Sequence, residues 1–198
     1  MGNACSENKS NQQGKKGPGL KTNLVQAECK IVILGDTAVG KTSIALRYIE
    51  NKFSESHIVT LGATFQQPRV KLKNGNTVKM NLWDTTGEEK FRSMLPMYYK
   101  SAKGAILTYD IGSKKSFDRV EYWIDELNEH VKAENIVLFL VGNKKDLPPE
   151  ERQIPTATAA KIAEEQGMLF MEVSAKTGEN VNELFSTLAE ELSKRFKL

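Results

Sequence analysis

The chain has 198 residues, of which 39% are hydrophobic and 27% are charged. These values are typical of one globular domain with a hydrophobic core, and the net charge of +3 is too small to indicate a nucleic-acid-binding protein. No run of about 18 apolar residues predicts a membrane-spanning helix. Two cysteines, Cys5 and Cys29, are too few for a disulfide framework, so a reducing cytoplasmic compartment is expected.

The first 28 residues differ in composition from the rest of the chain. They are rich in Asn, Gln, Gly, Ser and Lys, and such a segment buries too little apolar surface to offset the entropy of ordering it. We therefore predict a flexible arm over residues 1–28 and one folded domain over residues 29–198.

The arm begins with MGNACS, which matches the N-myristoylation pattern M-G-x-x-x-[ST] with Gly2 as the acylated residue. Cys5 is a candidate for a second, reversible acyl chain, since two lipid chains anchor a protein stably where one does not. The lysines of the arm add attraction to anionic lipid. The alternative is that the Met-Gly start is unmodified and has no function.

The first apolar run leads directly into a glycine-rich loop. Residues 30–35 (KIVILG) predict a buried strand, and GDTAVGKT then opens a helix, which is the phosphate-loop pattern G-x-x-x-x-G-K-[ST] in its required context. Its glycines allow successive N–H groups to turn toward phosphate oxygens. Lys41 is expected on the phosphates and the Thr42 hydroxyl on Mg²⁺. The candidate nucleotide-binding residues here are Ala38, Val39, Gly40, Lys41, Thr42 and Ser43.

A β-hairpin is predicted next. Asn74-Gly75 separates TFQQPRVKL from TVKMNLW, and Asn-Gly between two strand-like runs is typical of a tight hairpin turn. Pro68 has no N–H to donate, so its strand is expected at an edge of the sheet. The second strand, over residues 78–84, ends at Asp84.

The rest of the chain alternates between the two element types. Strands are predicted over residues 104–110, 136–142 and 168–173, and helices over residues 116–131, 156–166 and 180–196. This alternation predicts an α/β fold, with a mostly parallel sheet, helices on both faces and one antiparallel edge strand.

Two short motifs, NKKD and SAK, follow the last two predicted strands, at the edge where open α/β folds bind ligands. Guanine presents two adjacent donors that one carboxylate accepts together, whereas adenine presents an acceptor there, so Asp146 is the predicted guanine selector. We expect Asn143 to tie this loop to the phosphate loop, and the Ala175 N–H to face guanine O6. The predicted base-binding residues are Asn143, Lys144, Asp146, Ser174, Ala175 and Lys176.

Five motifs in this order, GDTAVGKT, TLGATF, WDTTGEE, NKKD and SAK, resemble those of the Ras-like small GTPases. WDTTGEEKFRSMLPMYYKSAKGAILTYDI is similar to the Rab branch, whose usual form is WDTAGQE, and TLGATF with the Met-Gly start resembles endosomal Rabs anchored at the N-terminus. The resemblance covers about residues 29–197. It implies a P-loop GTPase domain with a six-stranded sheet and five helices, GTP or GDP with Mg²⁺ as ligands, and two mobile switch segments. No cysteine follows Cys29, so the C-terminal lipid usual in this branch is not expected.

The resemblance also implies roles for single residues. Thr60 contacts Mg²⁺ and the γ phosphate, Asp84 holds a Mg²⁺ water, and the Gly87 N–H binds the γ phosphate. Phe53 stacks on guanine, or alternatively belongs to the core. GTP orders residues 54–65 and 85–97, and a partner protein binds the surface that these segments form. The candidate partner anchors are exposed Phe65, Trp83, Phe91, Leu95 and Tyr98, of which Phe65 and Trp83 have a core role as the alternative.

Glu88 stands where the family carries glutamine, and Thr86 where it usually carries alanine. A glutamine both accepts from the attacking water and donates to the phosphoryl group, whereas an ionised glutamate only accepts and adds negative charge. We therefore predict slow intrinsic hydrolysis, with Glu88, Lys41 and Thr60 as the catalytic residues. Two alternatives stay open: an activating protein supplies its own glutamine and arginine, or Glu88 is protonated or pairs with Lys90 or Arg92.

The sequence thus predicts a monomeric, Rab-like GTP switch on the cytoplasmic face of endosomal membranes. Its expected partners are effectors, an exchange factor and a GTPase-activating protein. The alternative is a nucleotide-binding scaffold with little turnover. An ATPase or nucleotide kinase is disfavoured by Asp146.

Overall fold

The computed structural model describes residues 25–55 and 60–198. These residues form one mixed sheet with helices on both faces. The strands are β1 Val25–Leu34, β2 Ala63–Gln66, β3 Arg69–Lys71, β4 Thr77–Thr85, β5 Gly104–Asp110, β6 Val137–Asn143 and β7 Leu169–Glu172. The α-helices are α1 Lys41–Glu50, α2 Leu95–Tyr99, α3 Lys114–Asp118, α4 Val120–His130, α5 Thr156–Glu165 and α6 Val181–Phe196. Short 3-10 helices cover Glu89–Met94, Ala133–Asn135 and Pro149–Glu151.

The strand order brings the motif-bearing loops to one edge of the sheet. The order is β2-β4-β1-β5-β6-β7, and the neighbours from β4 to β7 are all parallel. β2 and β3 pair antiparallel with β4. The predicted α/β fold with an antiparallel edge is thereby confirmed. Because parallel strands end at the same edge, the loops after β1, β4, β6 and β7 meet there.

Pro68 divides the antiparallel edge strand. β2 and β3 lie on either side of it, so six sheet positions hold seven strands. Proline cannot donate to the ladder, although its carbonyl accepts from the Met80 N–H at 2.9 Å. The edge position predicted for this strand is confirmed, and the break at Pro68 is an addition to the prediction.

Each face of the sheet carries one hydrophobic cluster. The first packs α1 and α6 on the sheet around Phe139 and Phe185, and the second packs α2, α4 and α5 around Tyr99 and Trp123. The apolar stripe predicted on the last helix is buried, except that Phe196 is only partly so: Val181, Leu184, Phe185, Leu188 and Leu192. Apolar burial of roughly 25 cal/mol per Å² makes these clusters the main stabilising term, so the site loops are mounted on a rigid frame.

The helix predicted over residues 116–131 differs from the one observed. It begins at Lys114, because the Ser113 hydroxyl caps it by accepting from the Ser116 N–H at 3.3 Å. It is also interrupted at Arg119. The five helices implied by the resemblance therefore appear as six α-helical segments.

The first strand begins earlier in the sequence than the composition of the chain suggests. β1 begins at Val25, within the segment predicted as an arm, because residues 25–28 pair with β4. Gly2 and Cys5 lie outside the described residues, so the arm and its lipid sites stay predictions. In the described part of the chain, no helix is both long and apolar enough to cross a bilayer. Cys29 is buried.

Candidate functional site

The loop between β1 and α1 is a tightly curled turn that only glycine permits at two positions. Gly35 has φ of +139°, and a Cβ there would lie 2.1 Å from the Thr108 carbonyl oxygen. Gly40 has φ of +96°, and its Cβ would lie 2.2 Å from Asn143 Nδ2. Both positions combine a left-handed backbone with no room for a side chain, which explains the two glycines of the motif.

Lys41 opens α1 and is buried beneath this loop. Its ammonium group donates to the carbonyl oxygens of Gly35 and Asp36, both at 2.8 Å. Burial lowers the pKa of Lys41 to about 8, although the charges of Asp84 and Asp36 act in the opposite direction. A buried cation that donates to neutral carbonyls is stabilised further by an anion, so the position suits a phosphate.

Asp84, at the end of β4, is a buried carboxylate. Neither of its oxygens has a hydrogen-bond partner among the described residues, and it is 2% exposed. Burial raises the pKa of Asp84 to about 6, although the neighbouring Thr42 hydroxyl and the Lys41 charge lower it. A buried carboxylate that is only partly compensated is costly to a fold and is typical of a site that receives a cation.

Two hydroxyls complete a set of oxygen ligands beside this carboxylate. Thr42 Oγ1 and Thr60 Oγ1 are 2.6 Å apart, although the residues lie on α1 and on the segment before β2. No group of three or more His, Cys, Asp or Glu side chains able to hold a metal occurs among the described residues. Mg²⁺ typically takes one or two carboxylates and completes its shell with water and phosphate oxygens, so the donor set of Thr42, Thr60 and Asp84 fits it.

Gly87 brings the segment after β4 against the phosphate loop. A Cβ on Gly87 would lie 2.4 Å from both the Asp36 carbonyl carbon and the Thr37 nitrogen. The Thr86 N–H donates to the Gly62 carbonyl at 2.8 Å, which joins the two predicted switch segments to each other. Both segments therefore lie at the phosphate loop, as the resemblance implies.

Residues of the phosphate loop, of α1 and of the two predicted switch segments line one cavity of about 800 Å³, a size typical of small-molecule sites. The lining comes from the phosphate loop and α1, from residues 50–54, and from Thr60 with residues 85–87. Phe53 also packs against the first hydrophobic cluster, so its two predicted roles are compatible.

The predicted base-binding residues form a second cluster that Asn143 joins to the phosphate loop. Asn143 Nδ2 donates to the Val39 carbonyl at 2.9 Å, which is the tie expected from the sequence. Its Oδ1 accepts from the Ala175 N–H at 3.1 Å, so a guanine O6 would have to share this proton. Asp146 is exposed and accepts from Ser174 Oγ at 2.5 Å.

The two lysines of this cluster have ion-pair partners in the structure. Lys144 has φ of +68°, and its Nζ lies 2.6 Å from Asp110 Oδ2. Lys176 Nζ lies 3.2 Å from Glu55 Oε1 on the segment that follows Phe53. Both ion pairs hold the lysine side chains at the edge of the cluster of predicted base-binding residues.

Arg47 is a residue that the sequence motifs did not reveal. It lies on α1, and its guanidinium donates to the carbonyl oxygens of Ala175 at 2.8 Å and of Lys176 at 2.6 Å. It therefore holds the SAK loop to the helix that carries Lys41 and Thr42. The only sequence signal was a basic residue near the end of a helix, which is common and not specific.

Glu88 is half-buried and directly precedes the 3-10 helix Glu89–Met94. Its N–H donates to the Thr86 hydroxyl at 3.2 Å, and its carbonyl accepts from the Phe91 N–H at 3.1 Å. The side chains of Lys90 and Arg92 lie outside the described part of the chain, so the predicted alternative of an ion pair with them stays open.

The partner anchors predicted around the second switch segment are only partly exposed. Phe65 is 45% exposed and its ring lies 4.8 Å from that of Trp83, which is half-buried, as Phe91 is. The expectation that Leu95 and Tyr98 are exposed is wrong, because they face the second hydrophobic cluster and are 2% and 8% exposed. The exposed apolar side chains in their place are Leu61, Met94 and Met97.

Comparison with known proteins finds relatives that match most of the chain. The Ras family model matches residues 30–194. The chain is 45% identical over 177 residues to the Ras-related protein Rab-5B of Plasmodium falciparum, covering 89% of this chain and 84% of that one. It is 43% identical over 176 residues to the GTP-binding protein ypt5 of Schizosaccharomyces pombe, covering 89% and 83%. It is 47% identical over 165 residues to the Ras-related protein Rab-5A of Dictyostelium discoideum, covering 83% and 81%.

Proposed function

Because the chain belongs to the Ras family of small GTPases, and within it to the Rab branch, we propose that it is a membrane-attached switch of endosomal trafficking with slow intrinsic hydrolysis. As a member of this family it binds GTP and GDP with Mg²⁺ and hydrolyses GTP. Its partners are effectors, exchange factors and GTPase-activating proteins.

The observation that carries the proposed site is the arrangement of Asp84, Thr42 and Thr60. A buried carboxylate without a hydrogen-bond partner in the described residues lies beside two hydroxyls that are 2.6 Å apart. We assign these three residues to Mg²⁺ and Lys41 to the phosphates. Mg²⁺, when bound, neutralises charge on the phosphate oxygens and orients them.

The switch follows from the position of Thr60 and Gly87 on one cavity. A terminal phosphate that contacts both residues holds the two segments together, and its loss after hydrolysis releases them. The Thr86–Gly62 hydrogen bond couples the segments, so the state of one is transmitted to the other. We propose that effectors bind this joined surface through the exposed Phe65 and its neighbours.

The slow rate follows from the chemistry of Glu88. Its carboxylate accepts from water but cannot donate to the phosphoryl oxygens, and it brings a negative charge toward a negative group. Such repulsion is on the order of 1 kcal/mol or more at an effective dielectric constant near 20. Since about 1.4 kcal/mol on the barrier is a tenfold change, we expect hydrolysis roughly tenfold slower than with glutamine.

Single-turnover hydrolysis of bound GTP tests this proposal. Glu88→Gln should raise the rate constant roughly tenfold. Glu89→Gln, the same change of charge and size one residue further on, should leave it unchanged and is the matched control. Equal rates for Glu88→Gln and the unsubstituted protein would refute slow hydrolysis through Glu88. Repeating both assays with a GTPase-activating protein distinguishes the case in which that protein supplies the missing donor, because the two rates then converge.

Membrane attachment through Gly2 and Cys5 is the second part of the proposal. It rests on the MGNACS motif, since both residues lie outside the described part of the chain. In cells, Gly2→Ala should move the protein from the membrane to the soluble fraction. Cys5→Ser should give partial release, because one myristoyl chain binds membranes only marginally. A Gly2→Ala protein that stays on membranes would exclude this anchor.

A further inference from the structure

Asp36, the second residue of the phosphate loop, is held from outside the nucleotide cavity. Its Oδ1 accepts a hydrogen bond from Trp123 Nε1 at 3.1 Å and lies 3.6 Å from Arg119 Nε. Arg119 directly precedes α4 and Trp123 lies one turn later, so both project from the same face of the helix. We refer to these two contacts as the Asp36 clasp.

The clasp is built from groups that have little freedom to move. Trp123 is 3% exposed and belongs to the second hydrophobic cluster. The Arg119 guanidinium lies 4.2 Å from the centre of the Tyr122 ring, which fixes its plane. The Asp36 side chain itself is only 22% exposed, so the ion pair is partly shielded from solvent.

The backbone of Asp36 faces the other way, toward the groups proposed to bind phosphate. Its carbonyl accepts from the Lys41 ammonium at 2.8 Å. The same peptide unit is the surface against which Gly87 packs, since a Cβ on Gly87 would lie 2.4 Å from the Asp36 carbonyl carbon. One residue therefore connects α4 to both Lys41 and the second switch segment.

The charge of Asp36 requires this arrangement. A carboxylate in the phosphate loop would repel a triphosphate if it were free, and Arg119 compensates it. The Trp123 N–H is buried and needs an acceptor, which Asp36 provides. Both requirements are met by the same pair of contacts.

We propose that Asp36 is a positioning residue for the nucleotide, which acts through Lys41 and Gly87 and is held in place by Trp123 and Arg119. The clasp keeps the phosphate loop in its binding geometry, so that its loss accelerates nucleotide release. This inference rests on the GTP binding common to the family, and it is independent of the slow hydrolysis and of the lipid anchor.

The test is the dissociation rate of GDP that carries a fluorescent label, measured with Mg²⁺ well below the unfolding temperature. Trp123→Phe, which keeps an aromatic ring in the second hydrophobic cluster and removes the N–H, should raise the rate constant roughly three- to tenfold. Asp36→Ala should raise it at least as much. The double variant should be no faster than the faster single variant, because both substitutions remove the same contact.

A matched control shows whether lower stability by itself accelerates GDP release. Leu127→Ala removes a side chain that is 1% exposed and buried on the same helix, α4, and that is not part of the Asp36 clasp. It should lower the unfolding temperature without accelerating GDP release. If Leu127→Ala accelerates release as much as Trp123→Phe at an equal loss of stability, or if Trp123→Phe leaves the rate unchanged, the proposal is wrong. Should Asp36→Ala fail to fold, the comparison of Trp123→Phe with Leu127→Ala still decides it.

Discussion

The Thr86 hydroxyl accepts a hydrogen bond from the Glu88 N–H, with 3.2 Å between Oγ1 and N. These are the two residues at which WDTTGEE departs from the usual WDTAGQE of the Rab branch, and they are bonded to each other. An alanine at position 86 cannot make this contact. The backbone N–H of Glu88 is therefore held by a hydroxyl that the usual WDTAGQE form does not provide.

The first prediction concerns this hydroxyl. In a chain that already carries Glu88→Gln, Thr86→Val should slow single-turnover GTP hydrolysis roughly two- to tenfold, because valine keeps the shape and removes the acceptor. Thr86→Ser retains the hydroxyl and should keep the rate. If the valine and serine variants hydrolyse GTP equally fast, the hydrogen bond has no part in positioning residue 88.

Gly87→Ala should separate GTP binding from GDP binding. The added Cβ would lie 2.4 Å from the backbone of Asp36 and Thr37, so the segment after β4 has to move away from the phosphate loop. We expect a loss of affinity of tenfold or more for a non-hydrolysable GTP analogue, and a smaller loss for GDP, measured by calorimetry.

Gly75→Ala is the matched control for this substitution. Gly75 has φ of +90°, yet nothing lies within 4 Å of the position of its Cβ. It should lower stability through backbone strain and leave the ratio of the two affinities unchanged. If Gly87→Ala also leaves the ratio of the two affinities unchanged, Gly87 has no part in the switch.

Asp146→Asn should change which base is bound. A carboxylate accepts from the two adjacent donors of guanine, whereas an amide offers one acceptor and one donor and fits xanthine, which carries an oxygen in place of the 2-amino group. We expect GDP affinity to fall by roughly a hundredfold and affinity for the xanthosine nucleotide to rise. Competition of GDP and of the xanthosine nucleotide against a labelled nucleotide measures the two affinities. Unaltered guanine preference would show that Asp146 does not select the base.

How far the sequence predicts the site depends on whether a residue's role is local. Gly35, Gly40 and Lys41 were predictable, because a strand–loop–helix motif defines their geometry within one short segment. Asn143 was predictable as a tie because it directly follows a strand, at the edge where the phosphate loop also lies, although its partner Val39 is far away in sequence. The hydrogen bonds of Arg47 to the SAK loop could not be predicted, because they depend on how α1 packs beside the loop after β7.

The fold shows the same division. The alternation of apolar runs and helical periods predicted the order and type of the main elements, because burial on one or both faces leaves a repeating pattern. It did not predict the break at Arg119 or the burial of Leu95 and Tyr98. The burial of these two side chains depends on α2 packing against α4, a tertiary contact that no local pattern encodes.

Asp84→Asn should stabilise the nucleotide-free protein while impairing its function. Without Mg²⁺, the buried carboxylate has no hydrogen-bond partner among the described residues, and the Lys41 charge offsets only part of its desolvation, so removing the charge relieves the remaining penalty. We expect a higher unfolding temperature in EDTA, together with GDP release that no longer responds to Mg²⁺. In the unsubstituted protein, removal of Mg²⁺ should accelerate release strongly.

Asp110→Asn provides the contrast. Asp110 pairs with Lys144 at 2.6 Å and accepts from the Gly112 N–H at 2.8 Å, so its charge is compensated and its loss should lower the unfolding temperature. If Asp84→Asn raises the unfolding temperature and Asp110→Asn lowers it, the charge at Asp84 is unfavourable for the fold and is explained by cation binding. If Asp84→Asn also lowers the unfolding temperature in EDTA, this carboxylate stabilises the fold and the stability–function conflict at the site does not exist.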